Sequence, residues 1–344
     1  MRFTRAALWA CALLGLVILV AALWPAPSSS PTQTPAVATT PAAQCHVVGT
    51  WNLERFSPRG SRGFPENTRG GPSYGPRTDD DLHALAVAIH QMQARALMLN
   101  EIGGVDRRRP GRSETLDRLL PHLGFTWAYH VGASGGGQRL AFLYDTRYVE
   151  VLQTAELEIP HEQVDGSDVA EKNPLVTVVR LKDAHGARND LVFVGLHLAS
   201  GQQNVNNHDR AMALTVDALQ RARGQLYSAT ERDFLMGGDL NANRDDRHRE
   251  RFFDDLEASG WRVLASPNGP ATRLAGVPLG LGDAIDYLIA SAGPGALFGH
   301  EVTAPAATVH HELATGPDRW NSFRARLSDH FPVTTCVTMQ DDDD

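Results

Sequence analysis

Six short apolar runs in this chain each place a carboxylate, an amide or an imidazole at or near one end, and that recurrence constrains the fold more than any bulk property. Residues 46–51 (HVVGTW) lead to Asn52, and 96–99 (ALML) lead to Asn100 and Glu101. Residues 190–198 (DLVFVGLHL) carry His197 near their end. The run 234–236 (FLM) passes through two glycines to Asp239, Asn241 and Asn243. Asp286 stands among apolar residues in 284–290 (AIDYLIA), and Asp329 and His330 immediately precede 331–337 (FPVTTCV). These runs have the length and composition of buried strands. An unpartnered buried carboxylate is costly, so polar ends on six strands read as one shared site. Taken singly, each reads equally well as an Asx-turn, a capped turn or a structural ion pair. If the backbone stays extended after residue 236, Asp239 and Asn241 point the same way.

Further strand-like runs are 125–130, 139–144 and 175–181. Residues 79–92 read as a helix, with Leu82, Leu85, Ala86 and Ile89 on one face and acids in the first turn. Residues 113–122 follow with Ser113 as a cap, then 207–227 and 245–259. Strands outnumber the helices interleaved with them. That pattern suits an α/β sandwich better than a barrel of alternating units. No repeat or compositional break divides residues 45–338, which read as one domain.

Residues 1–24 are of a different kind. Arg2 and Arg5 precede an uncharged apolar stretch, Ala6 to Leu23, which reads as a signal peptide or a membrane anchor. Residues 25–44 are rich in Pro, Ser, Thr and Ala and read as an extended linker. Either reading of the leader places the domain outside the cytoplasm: secreted, periplasmic or anchored at the outer face. In an oxidising compartment, Cys45 and Cys336, at the two ends of the domain, are best read as a disulfide, the alternative being two unrelated buried thiols.

The formal net charge is −8, of which Asp341–Asp344 in the acidic tail 339–344 supply four charges. The rest is only mildly acidic, so any surface for an anionic partner must be local. Two loops have that character. Residues 55–77 hold Arg55, Arg59, Arg62, Arg69 and Arg77, and residues 106–112 hold Arg107, Arg108, Arg109 and Arg112. They read either as solvated loops or as basic walls beside an anionic substrate. His310 and His311 lack Cys or His partners at zinc spacing and read as part of a solvated loop. Trp320 and Phe323 read as core or rim.

The ordered set W-N-L (51–53), N-E-I (100–102), G-L-H-L (195–198), G-D-L-N (238–241), A-I-D-Y-L (284–288) and S-D-H-F-P (328–332) resembles the endonuclease/exonuclease/phosphatase superfamily, the group of deoxyribonuclease I and exonuclease III. The resemblance spans roughly residues 46–338. It implies a four-layer α/β sandwich, two mixed sheets face to face with helices outside, as the catalytic domain, with first and last strands as neighbours. It implies that Glu101, with Asn52 and Asp329, holds Mg²⁺ or a similar ion such as Mn²⁺ or Ca²⁺. Asp286 would fix the tautomer of His330, Asp239 would orient or deprotonate the attacking water, and His197 and Asn241 would contact phosphoryl oxygens. The general base is left between His330 and Asp239.

Two features depart from the family pattern: Asn100 replaces the more usual Gln, and no lysine follows His197. The family's motifs bind a phosphate without identifying its owner. The basic loops follow the strands that deliver Asn52 and Glu101, which favours a nucleic acid substrate with Arg55, Arg107, Arg109 and Arg139 as contacts. A sphingomyelinase-like or phosphoinositide-type lipid phosphodiesterase or phosphatase, or a binding module of the same fold, is the alternative. No protein partner is inferred.

Overall fold

The computed structural model describes residues 45–339 except 59–75, 106–107, 110, 161–162, 165–166, 170–171, 184–185, 201–204, 244–250, 265, 267–270, 277 and 304–306. The leader, the linker, Arg59, Arg62, Arg69, Arg107 and residues 340–344 of the tail lie outside the described residues. Among those described, no helix is long and apolar enough to cross a membrane.

In chain order the strands are β1 (Cys45–Phe56), β2 (Ala94–Ile102), β3 (Trp127–Val131), β4 (Arg139–Asp145), β5 (Val149–Glu156), β6 (Gln163–Val164), β7 (Ser167–Asp168) and β8 (Leu175–Lys182). There follow β9 (Arg188–His197), β10 (Phe234–Asp239), β11 (Trp261–Val263), β12 (Leu274–Ala275), β13 (Gly280–Leu281), β14 (Asp286–Ser291), β15 (Thr308–Val309) and β16 (Val333–Thr338). The helices are α1 (Asp79–Gln91), α2 (Glu114–Leu123), α3 (Val205–Ala222), α4 (Arg251–Ala258) and α5 (Arg319–Arg326).

Two six-stranded mixed sheets form, in the orders β15-β16-β1-β2-β4-β3 and β11-β14-β10-β9-β8-β5. Each has one parallel pair at its centre, β1 with β2 and β9 with β10. The α1 helix connects the first pair and α3 the second, as parallel pairing requires a crossover.

Strand alternation explains why the central runs are continuously apolar. Leu191 and Phe193 of β9, Leu235 of β10, and Leu288 and Ala290 of β14 pack inward with the first sheet. Val192, Val194 and Leu196 of β9 and Met236 of β10 pack outward with Ala211, Met212 and Leu219 of α3 and Phe252 and Phe253 of α4. Both faces of the second sheet are thus covered. Outside the first sheet, α1 buries Leu82, Leu85, Ala86 and Ile89, and its N-terminus is closed by a capping box between Thr78 and Asp81. The result is helix, sheet, sheet, helix: the expected four layers.

The boundaries moved in places. β10 continues past Met236 to Asp239, because Gly237 and Gly238 keep extended pairing with β14 and β9. An ideal Cβ on Gly238, whose φ is +150°, would lie 1.8 Å from the carbonyl oxygen of Leu196 on β9. Gly238→Ala is therefore expected to cost on the order of 3 kcal/mol or more, read as a lower urea midpoint. A midpoint within error of wild type would show that β10 can shift away from β9.

The first and last strands pair antiparallel, and Cys45 and Cys336 form a disulfide with Cα atoms 5.4 Å apart across a sequence separation of 291. Disulfides of this kind persist in oxidising compartments. Cys336→Ser is expected to lower stability by about 3–5 kcal/mol, because the bridge restrains almost the whole unfolded domain. Equal denaturation midpoints with and without reductant would remove that role.

His310 and His311 are not in a solvated loop. His310 is buried, with Nδ1 on Glu312 and Nε2 on Thr334, while His311 bonds the Ala271 carbonyl and packs edge-on against Phe331. Both are tied into the base of β16, with Phe323 and Trp320 against the same Phe331 ring.

Candidate active site

The two parallel pairs end at one edge of the sandwich, so the carboxyl ends of β1, β2, β9 and β10 meet there. Antiparallel pairing adds the beginning of β14, where Asp286 sits opposite Asp239. Asn52 pairs with Asn100 and Asp239 with His197 in the same registers. Alternation turns residues 191, 193, 195 and 197 of β9, and 235, 237 and 239 of β10, toward the other sheet. His197 and Asp239 therefore enter between the sheets.

Asp239 is the hub. Its Oδ2 accepts from Asn52 Nδ2 at 2.9 Å and lies 3.8 Å from both His197 Nε2 and His330 Nε2. Its Oδ1 accepts the backbone N–H of Asn241 at 2.9 Å. Asn52 Nδ2 also reaches Glu101 Oε1 at 3.2 Å, so one amide links two carboxylates. His330 Nδ1 meets Asp286 Oδ2 at 2.8 Å, which leaves Nε2 facing Asp239 and Asp329, the latter at 3.6 Å. Eight residues spread from position 52 to 330 thus occupy one cluster.

Two expectations about side-chain direction need correction. Asn241 does not continue an extended strand beside Asp239. Its φ is +48°, the chain turns, and its Nδ2 donates to the Leu198 carbonyl at 2.9 Å. Asp239 and Asn241 form the Asx-turn that the sequence also allowed, and the turn aims the carboxylate. For Glu101, alternation after Asn100 would send the side chain toward the helices. Asn100 points between the sheets and bonds the Leu196 carbonyl, while Glu101 has φ +62° and the β1–β2 register breaks after Asn52. The irregular turn brings Glu101 back to the same edge.

Of the five non-glycine residues with positive φ among the described residues, Glu54, Arg55, Glu101 and Asn241 all line this edge. Such conformations persist where surrounding contacts over-determine them. Here the Arg55 N–H and Gln138 Nε2 both donate to Glu101 Oε2, each at 2.8 Å, and the Glu54 N–H donates to Asn52 Oδ1 at 3.0 Å.

The charges are strongly coupled. Burial and the Asp286 carboxylate push Asp239 up to about 7, against the stabilising pull of His330, the Asn241 N–H and Asn52. Burial opposes a charge on His330, but the carboxylates of Asp286, Asp329 and Asp239 outweigh it and push its pKa up to about 10. His197 goes the other way: burial, then the positive charges of Lys172 and His330, hold it well below its ordinary value. One edge therefore presents a protonated and a neutral imidazole on either side of a carboxylate.

The donor set suits a metal ion. Asp239, Asp286 and His330 each offer an atom within 4.8 Å of the others. Asp286 Oδ2 and His330 Nδ1 are also bonded to each other. Asp286 Oδ1 and His197 Nδ1 are buried with no hydrogen-bond partner among the described residues. With Glu101 and Asp329 nearby, carboxylate oxygens outnumber the cations, the composition that hard divalent ions take.

Several residues here carry no legible sequence signal. Ser328 Oγ donates to the Asn52 carbonyl at 2.6 Å and accepts the His330 N–H at 3.1 Å, locking the S-D-H turn to β1. Arg324 of α5 contacts Glu54 at 2.8 Å and Asp329 at 3.7 Å, and Arg273 is 3.9 Å from Asp329. Lys172, from the segment before β8, supplies a positive charge near His197, where the sequence had suggested that a lysine was missing.

Of the expected substrate contacts, Arg55 meets Glu101 through its backbone. Arg139 donates to the carbonyls of Gly132 and Gly136 and so shapes the glycine loop. Arg109 lines a cavity of about 810 Å³ with Ser57, Gly104, Arg112 and Gly137.

Residues 49–330 match the model of the Endonuclease/Exonuclease/phosphatase family. The chain belongs to that family, whose fold is one of phosphodiesterases and phosphatases. No curated protein matches it. Among solved structures it is similar to humanized D. rerio TDP2, with 12% identity, 86% of this chain and 99% of that one covered, and a TM-score of 0.52. It is similar to the human Nocturnin catalytic domain with bound sulfate, at 13% identity, 87% and 97% coverage and a TM-score of 0.52. It is also similar to a Bacteroides thetaiotaomicron mannosyl-6-phosphatase, at 14% identity, 85% and 99% coverage and a TM-score of 0.53. At these identities the likeness concerns the fold.

Proposed function

We propose that this protein is an exported, divalent-metal-dependent phosphodiesterase that cleaves DNA by attack of water. The observation that carries the reading is the position of Asp239 Oδ2, 3.8 Å from two imidazoles and bonded to the amide that also holds Glu101. A phosphodiester is anionic and repels hydroxide, so the site must both activate water and neutralise charge growing on phosphoryl oxygens.

Asp239 orients the water and takes its proton. His330, whose ring is fixed by Asp286 through Nδ1, presents Nε2 to a phosphoryl oxygen, and His197 Nε2 does the same from β9. Asn241 retains one amide hydrogen for the same purpose. Asp239, Asp286 and His330 are committed to the water and to one another, so Glu101, Asn52 and Asp329 would hold the ion, Mg²⁺ or a close substitute, which when bound supplies positive charge to the phosphoryl group.

Three observations support a nucleic acid substrate. The cavity beside Gly104, three residues along the chain from Glu101, is of a size that takes a nucleotide. Among the described residues no hydrogen bond or ion pair engages the Arg109 guanidinium, whereas Arg112 and Arg118 pair with Asp117 and Asp79. One similar structure is D. rerio TDP2 complexed with a single-strand DNA product, at 13% identity, 85% and 98% coverage and a TM-score of 0.51. The disulfide and the apolar leader support export.

Nicking of plasmid DNA with Mg²⁺, abolished by EDTA, is the expected result. Release of phosphocholine from sphingomyelin, or of phosphate from a phosphoinositide or a sugar phosphate, with intact plasmid would replace DNA by that substrate. Binding of DNA without hydrolysis of any of them would make the domain a binding module.

A further inference from the structure

We propose that Thr272 is a positioning residue that aligns Asp286 with His330. Its side chain is buried, and Oγ1 donates to Asp286 Oδ2 at 2.7 Å, the same oxygen that meets His330 Nδ1. Oγ1 also accepts the backbone N–H groups of Ile285 and Asp286, each at 3.0 Å. A hydroxyl has one hydrogen and two lone pairs. The two N–H groups can only donate, so they occupy the lone pairs and force the hydroxyl hydrogen onto Asp286.

The backbone around Thr272 serves the same end. The Thr272 N–H donates to Asp283 at 3.0 Å, and its carbonyl accepts from Phe331 at 2.7 Å. The Leu274 N–H donates to the Asp329 carbonyl at 2.7 Å, and Arg273 bridges His330. Residues 272–274 therefore touch both the start of β14 and the turn that carries His330. Asp286 and His330, 44 residues apart, are held in line by a third segment. Among the described residues Asp286 Oδ1 has no partner, and the side-chain bonds of this carboxylate to Thr272 and His330 both converge on Oδ2. Without the hydroxyl the carboxylate is free to rotate and the imidazole loses its fixed orientation.

The proposal rests on the phosphodiesterase reading for its kinetic arm but not for its spectroscopic one. Thr272→Val keeps the shape and removes the hydroxyl. It is expected to lower kcat on a DNA substrate about 10–100-fold with KM within about twofold of wild type. In metal-free protein it should also broaden or remove the low-field proton resonance of His330 Nδ1, assigned by its absence from His330→Ala. Thr272→Ser should restore both. If the valine variant does not fold, Thr272→Ala carries the same comparison. A variant lacking the hydroxyl that keeps wild-type kcat and an unchanged low-field resonance would overturn the proposal, as would a serine variant as slow as valine. A wild-type protein with the resonance but no phosphodiesterase activity would refute the functional reading alone.

Discussion

Asp239→Asn is expected to slow phosphodiester hydrolysis about 10²–10⁴-fold while the protein remains folded. Asparagine keeps the shape, and its one oxygen can accept the Asn241 N–H, so the Asx-turn survives while the bond from Asn52 Nδ2 is given up; that amide keeps its link to Glu101 Oε1. What is lost is the group that takes a proton from water. The fold should not suffer, because burial and the facing Asp286 carboxylate already penalise the charge on Asp239. Active-site groups of this kind are held at the expense of stability. Thermal midpoint and kcat should therefore separate: kcat falls, and the midpoint of the metal-free protein equals or exceeds that of wild type. A near-normal kcat would remove Asp239 from water activation.

His330→Ala is expected to fail on both measures. Turnover should fall about 10²–10⁴-fold, and stability by about 3–5 kcal/mol. The stability loss follows from what remains. Asp286 is buried, its Oδ1 has no partner among the described residues, and without the imidazole its side chain keeps, among those residues, the Thr272 hydroxyl alone. Asp239 also loses the positive charge that draws its own pKa down. Urea unfolding and steady-state kinetics on one preparation check both. An unchanged urea midpoint would mean that the His330–Asp286 contact contributes nothing to the fold. The pair Asp239→Asn and His330→Ala thus distinguishes a carboxylate the fold tolerates from an imidazole the fold needs.

The architecture was largely legible before any coordinates. β9 and β10 could be placed from continuous apolar runs because both faces of the second sheet are buried, and α1 from its apolar stripe and the acids of its first turn. The weaker signals were lost. β5 is mostly exposed or half-buried and has little apolar pattern, and β11 and β15 are two or three residues long. His310 and His311 were misplaced in solvent because their partners, Thr334 and Ala271, are distant in sequence.

At the site, the sequence by itself determined which groups were available: Asn52, Glu101, His197, Asp239, Asp286 and His330 are marked by apolar runs that carry them at or near one end. Only the tertiary structure decided where those groups point and what holds them. Left-handed backbone at Glu101 and Asn241 overrides strand alternation, Ser328 ties the turn of its own motif to β1, and Thr272, Arg324 and Lys172 arrive from other segments. The reason is physical. Periodicity records which face of a strand is buried, a local property. Hydrogen bonds between a serine or threonine and a distant carbonyl or carboxylate exist only once the sheets have closed on each other.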